Sequence, residues 1–186
     1  MNLVELSVSL LLVSLVGLAA TGFGRAALRL LRVDEASREA RQLGVAALDM
    51  FMREWRIAGF SANGQKIAGV TGPRMDSVEL NADVDGDGAF SSRNERIAYK
   101  WDATRSAVMR STQDSSPQPW IDNVPPEGFR LVYFDAGGRE LADPRMDSER
   151  IAGVGVVLRV RWQPSVGETE PNGVVELRSF IARRNP

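Results

Sequence analysis

The chain has 186 residues, with 23 basic and 24 acidic side chains and a formal net charge of −1. That balance exerts no global pull toward nucleic acid or anionic lipid. Cysteine and histidine are both absent, which excludes disulfides, thiolate metal sites, cysteine nucleophiles and imidazole acid–base relays.

The first predicted element is a helix that opens "MNLVELSVSLLLVSLVGLAATGF". Leu6 to Phe23 carries no charge, and Ser7, Ser9, Ser14 and Thr21 can return their hydroxyls to the preceding turn. As a helix, residues 1–23 span about 35 Å at roughly 1.5 Å per residue, enough to cross a bilayer core. A secretory signal peptide needs a basic stretch before its apolar run, whereas here nothing basic precedes Arg25. A plain membrane anchor fits better but leaves Glu5 unexplained. A carboxylate in a membrane segment costs up to about 3 kcal/mol near the centre and usually has a functional partner.

The helical pattern continues through "GRAALRLLRVDEASREARQLGVAALDMFMREWRIAGF". Leu28, Leu31, Ala36, Ala40, Leu43, Ala47 and Met50 follow steps of three and four, which predicts an amphipathic stripe. Gly59 and the following "SANG" supply a stop. The reading is one helix of about 55 residues, weakened between its halves by Gly17, Gly22 and Gly24 at about 1 kcal/mol each relative to alanine. Three segments result: residues 1–24 for a membrane or fibre core, 25–59 as the amphipathic half, and 60–186 as a β-rich globular part.

After Gly59 the composition shifts to Gly, Pro, Asp and Ser around short β-type runs. "SVEL", "RIAYKW", "AVMRS", "FRLVYFD", "GVVLRVRWQP" and "GVVELRSFI" are the predicted strands of one antiparallel sheet packed on the amphipathic half-helix. "DAGGRE" reads as a hairpin turn, with Gly137 and Gly138 both supplying positive φ. "STQDSSPQPW" and "DNVPPEG" read as loops, and the four tryptophans as core or edge packing.

One constellation carries chemistry. "DVDGDGAFSSRNE" spaces Asp83, Asp85 and Asp87 by two and follows with Gly88, the opening of an EF-hand-type calcium loop. The twelfth position is Asn94, and the acid stands one later at Glu95. The flanks read as strands. Calcium held by Asp83, Asp85, Asp87 and Glu95 competes with a solvated hairpin loop. Magnesium fits less well, since it keeps its own waters. An enzyme is not expected: the lysines, Lys66 and Lys100, stand in unremarkable contexts and the acids are mostly scattered.

The opening Met1-Asn2-Leu3-Val4-Glu5-Leu6 resembles the start of mature type IV pilins and pseudopilins. Those chains begin with an apolar residue, usually phenylalanine, and carry glutamate fifth. Their basic leader is cut away, so a mature chain would show none. "MREWRIAGF" resembles the close of the long helix in PilW-type minor pilins, "NERIAYKWD" one of their strands, and "LRSFIARRNP" their last strand and tail. Type II secretion minor pseudopilins of the J class share much of this plan. The resemblance implies an α+β pilin fold, a long N-terminal helix packed on an antiparallel sheet domain. It implies a minor pilin that helps start the fibre and sits near its tip, with other minor and major pilins as partners. It places the chain in the bacterial inner membrane, globular part periplasmic, and then in the pilus at the cell surface. Glu5 would meet the N-terminal amine of a neighbour's Met1. A membrane-tethered calcium-dependent adhesin or binding module is the reading from outside the assembly class.

Overall fold

The computed structural model describes residues 2–91, 94–113, 115–163 and 172–183. The predicted helix is one unbroken element, α1, Leu3–Ile57. It runs through Gly17, Gly22 and Gly24 without interruption. Ser9, Ser14 and Thr21 donate their hydroxyls to the carbonyls of Glu5, Leu11 and Leu18 at 2.8, 2.8 and 2.9 Å. Gly59 ends the helix with φ +83°, and its N–H is taken by the Asn81 carbonyl at 2.9 Å. Gly69 crosses this exit so closely that a Cβ there would stand 2.3 Å from the Gly59 nitrogen.

Eight strands follow: β1 (Val70–Thr71), β2 (Ser77–Asn81), β3 (Arg96–Asp102), β4 (Ala107–Thr112), β5 (Gln118–Ile121), β6 (Phe129–Phe134), β7 (Gly153–Trp162) and β8 (Gly173–Ala182). The six predicted strands are β2, β3, β4, β6, β7 and β8. The single predicted sheet is corrected to two: a five-stranded sheet in the order β1-β2-β3-β4-β5 and a three-stranded sheet β6-β7-β8, all pairs antiparallel. The division falls at Asp122–Gly128, where Pro125-Pro126 and positive φ at Asn123 and Glu127 turn the chain away.

Part of the predicted loop "STQDSSPQPW" is also a strand. β5 pairs with β4 at the sheet edge across a register shift at Val108/Met109. Pro119 is tolerated there because an edge strand has one side with no ladder to donate to. The turn after β6 forms, with Gly138 N–H to Asp135 O at 3.0 Å, but positive φ falls on Gly138 alone of the two glycines. The returning chain bridges Phe134 only at Glu140, and β7 then becomes the partner of β6.

The helix stripe is narrower and later than predicted. Ala40, Gly44, Ala47, Leu48, Phe51, Trp55 and Ala58 are buried, while Leu28, Leu31, Leu43 and Met50 are exposed. Helix α1 packs on β7, β8 and β5. Phe51 is the hub, with ring centroids 5.0 Å from Tyr99, 6.0 Å from Trp55 and 6.4 Å from Phe129. Trp101, Trp120 and Trp162 pack half-buried at the margin of this core.

One ionic network pins the helix to the five-stranded sheet. Arg110 of β4 donates to Glu54 of α1 through Nε at 3.1 Å and Nη2 at 2.6 Å, and the Tyr99 hydroxyl donates to the same carboxylate. Burial and the adjoining Glu54 charge hold the Tyr99 hydroxyl well above the usual phenol range, so it stays protonated and donates.

Candidate functional site

Two places carry the chemistry anticipated above. The first is the free end of α1. Its apolar stretch, mean hydropathy 2.1 over eighteen residues, is long enough to cross a membrane and is 0% buried within the protein. Val4, Leu6, Val8, Leu10, Leu11, Leu12, Val13, Leu15, Val16, Leu18 and Phe23 all stand exposed. Most of the apolar side chains in this stretch therefore find no partner on their own globular part. An all-round apolar helix in that position is covered by lipid or by other helices.

Glu5 is exposed on the first turn, and its carboxylate Oε2 accepts the Asn2 backbone N–H at 3.0 Å. Asn2 is the N-cap residue, and Glu5 stands at the third helical position. Such a carboxylate satisfies a donor that the helix leaves open and favours the positive end of the helix dipole. This local role was readable in the sequence, as a capping residue at Asn2 with an acid three later. Met1 lies outside the described residues.

The second place is the loop joining β2 to β3. Asp83, Asp85 and Asp87 come together, each offering one carboxylate oxygen within 4.8 Å of the others. Two oxygens bound to one calcium ion at about 2.4 Å can be at most about 4.8 Å apart, so the spacing suits a shared ion. Gly86 and Gly88 hold φ +78° and +79°, the left-handed backbone that turns the loop back on itself. Asp85 accepts the Asp87 N–H at 3.2 Å and Asp87 the Ala89 N–H at 2.7 Å, so side chains and backbone wind together.

The three aspartates are not equivalent. Asp83 is fully buried and accepts from Gly86 N–H at 2.8 Å and from the Ser61 hydroxyl at 3.0 Å, whereas Asp85 and Asp87 face solvent. Glu95 does not join the cluster. It is 1% exposed, and its Oε1 accepts the backbone N–H groups of Val84 at 2.9 Å and Asp85 at 3.2 Å. It fastens the loop from below. The "SANG" stretch, read from sequence only as a helix stop, braces the other side: Asn63 Nδ2 donates to the Gly86 carbonyl at 3.0 Å. Asp83, Asp85 and Asp87 would be the residues to hold a hard cation such as calcium, which takes six to eight oxygen ligands.

The chain matches no protein-family model, no curated protein and no solved structure.

Proposed function

We propose that this chain is a pilin-like assembly subunit, a minor pilin whose front half-helix lies first in the bacterial inner membrane and then in the core of a type IV fibre. The observation that carries this reading is the helix itself. One continuous rod is bare and apolar at its front and docked on two sheets from Ala40 onward. A lone membrane anchor needs the apolar run but not its rigid continuation into the folded part. A fibre subunit needs both, because the rod must carry its globular part in fixed register with its neighbours. Glu5 then serves the assembly: an opposite charge on a neighbour's amine would neutralise it in the apolar bundle, offsetting part of the desolvation. A secretion pseudopilin uses the same physics and is the alternative within this class.

The test is where the protein is found. Cells producing it are sheared, and filament and membrane fractions are probed separately. Recovery with the sheared filaments is expected. Recovery in membranes alone, in cells that bear filaments, contradicts the fibre role and favours a tethered module.

The clustered aspartates motivate a second element, a weak calcium site in the β2–β3 loop. Its imperfect ligand set suits dissociation constants of about 10⁻⁴ to 10⁻³ M, as in extracellular modules. At 10 mM calcium, about tenfold above the weaker limit, binding stabilises the fold by about 1.4 kcal/mol. The melting temperature of the detergent-solubilised chain should rise by about 3–5 °C. Asp85→Ala should abolish the rise, since Asp85 is exposed and leaves the buried Asp83 and Glu95 contacts in place. An unchanged melting temperature with no heat of binding leaves the loop a solvated turn.

A further inference from the structure

Between Glu5 and Asp34 the rod carries only positive charge: Arg25, Arg29 and Arg32. Arg25 and Arg29 stand one turn apart on one side of α1, and both are exposed. Neither has an ion-pair partner among the described residues, whereas further along Arg38 is held by Asp34 at 2.8 Å and Arg53 by Asp49 at 2.5 Å. The docked core lies too far away to supply one: the first buried helical side chain, Ala40, stands about 16 Å further along the axis than Arg29. The place of the pair along the rod points to its counter-charge. The uncharged stretch from Leu6 to Gly24 rises about 28 Å, close to the roughly 30 Å of a bilayer's hydrocarbon core. With that stretch immersed, Arg25 stands at the edge of the hydrocarbon and Arg29 about 6 Å outside it, within a headgroup layer about 5–7 Å deep. Leu28 and Leu30, 57% and 71% exposed, flank the pair. The arginine stems can lie on that apolar surface while their guanidinium groups extend to the headgroups.

We propose that Arg25 and Arg29 form a seat for the phosphate of an anionic lipid, on the leaflet from which the helix emerges. This inference rests on the membrane part of the reading above and not on the fibre. A guanidinium group matches phosphate oxygens two at a time. A phosphatidylglycerol headgroup offers that negative charge uncompensated, whereas phosphatidylcholine carries its own cation beside the phosphate. A second copy of the chain at the same depth is a poor partner, since it sets arginine beside arginine.

The absence of native cysteine allows a single reporter. The full-length chain carrying Ala26→Cys, an exposed position between the two arginines, is labelled there with a fluorophore and reconstituted into phosphatidylcholine vesicles. A small fraction of the lipid, either phosphatidylglycerol or phosphatidylcholine, carries a quenching nitroxide high on one acyl chain. The labelled phosphatidylglycerol should half-quench the reporter at a mole fraction at least about fivefold lower than the labelled phosphatidylcholine, the preference that a single arginine at an anionic surface supplies. Arg25→Gln together with Arg29→Gln should bring the two quenching curves together. Arg25→Lys together with Arg29→Lys should keep part of the separation, because the charge remains. Salt at 1 M should shrink it in the arginine chain, since charges are then screened beyond about 3 Å. All these chains should float with the vesicles and melt alike, because the docked core begins at Ala40. Equal quenching by the two lipids with both arginines present, or a preference that survives in the glutamine variant, would overturn the proposal and leave the membrane reading intact. Failure to float with the vesicles would overturn that reading and the proposal with it.

Discussion

A chain that starts at Arg25 should be soluble without detergent and keep the mixed helix–strand circular dichroism of the full-length protein. Its melting temperature should lie within a few degrees of that of the intact chain. The expectation follows from where the core begins. The first buried helical side chain is Ala40, and the docked stripe runs from there to Ala58. Residues before Arg25 contribute nothing to that core, so deleting them removes apolar surface from the outside only. Arg25, Arg29 and Arg32 alternate with the exposed Leu28, Leu30 and Leu31, which keeps the remaining overhang hydrated. The intact chain should need detergent or lipid throughout. An aggregated or unfolded product from Arg25 onward would mean that the front half belongs to the folding unit.

The largest single-residue effect is expected at Trp55. Its side chain is fully buried and lies against Phe51 and Tyr133, with ring centroids at 6.0 and 6.3 Å. Trp55→Ala removes that surface and leaves a cavity that the rigid helix and sheets fill poorly, at a cost of about 3–5 kcal/mol. Domains of this kind hold only about 5–15 kcal/mol in total, so the variant stands near the edge of folding. Trp55→Phe should be much milder. It keeps an aromatic body and discards an indole N–H that is buried without a hydrogen-bond partner. Leu28→Ala, on the exposed overhang, should change stability by less than about 0.5 kcal/mol. Denaturant unfolding of the soluble fragment measures all three. Equal losses at Trp55 and Leu28 would contradict the docked stripe.

The parts of this fold that sequence revealed are those with a local physical signal. Periodicity and the lack of proline before Pro73 gave the helix, Gly59 gave its end, and alternation gave β7 with Val154, Val156, Leu158 and Val160 inward. The missed parts depend on distant partners. Leu28 and Leu31 have the spacing of buried residues but lie beyond the reach of the sheets, so tertiary placement overrode the pattern. The stretch "STQDSSPQPW" reads as a loop because only pairing with β4, at a sheet edge that accommodates Pro119, makes its end a strand. The Glu54–Arg110 pair spans 56 residues of sequence and leaves no local trace. At the candidate site, the spacing of Asp83, Asp85 and Asp87 was legible, whereas the turning of Glu95 toward the backbone was not. That choice depends on which loop N–H groups lie above it once β2 and β3 pair.

The observed cap role of Glu5 and its proposed assembly role are separated by a single substitution. As a cap, its carboxylate accepts the Asn2 N–H within its own chain. As the assembly group proposed above, its charge would meet the amine of a neighbour. Glu5→Gln retains an oxygen that can accept the Asn2 N–H and removes the charge, while Glu5→Ala removes both. The decisive measurement is the amount of each variant in sheared filaments relative to membranes, in cells whose filament yield depends on this protein. The assembly role predicts that both variants insert normally into membranes and that both are depleted from filaments, Glu5→Gln nearly as severely as Glu5→Ala. Normal recovery of Glu5→Gln in filaments would contradict it and leave Glu5 a helix cap.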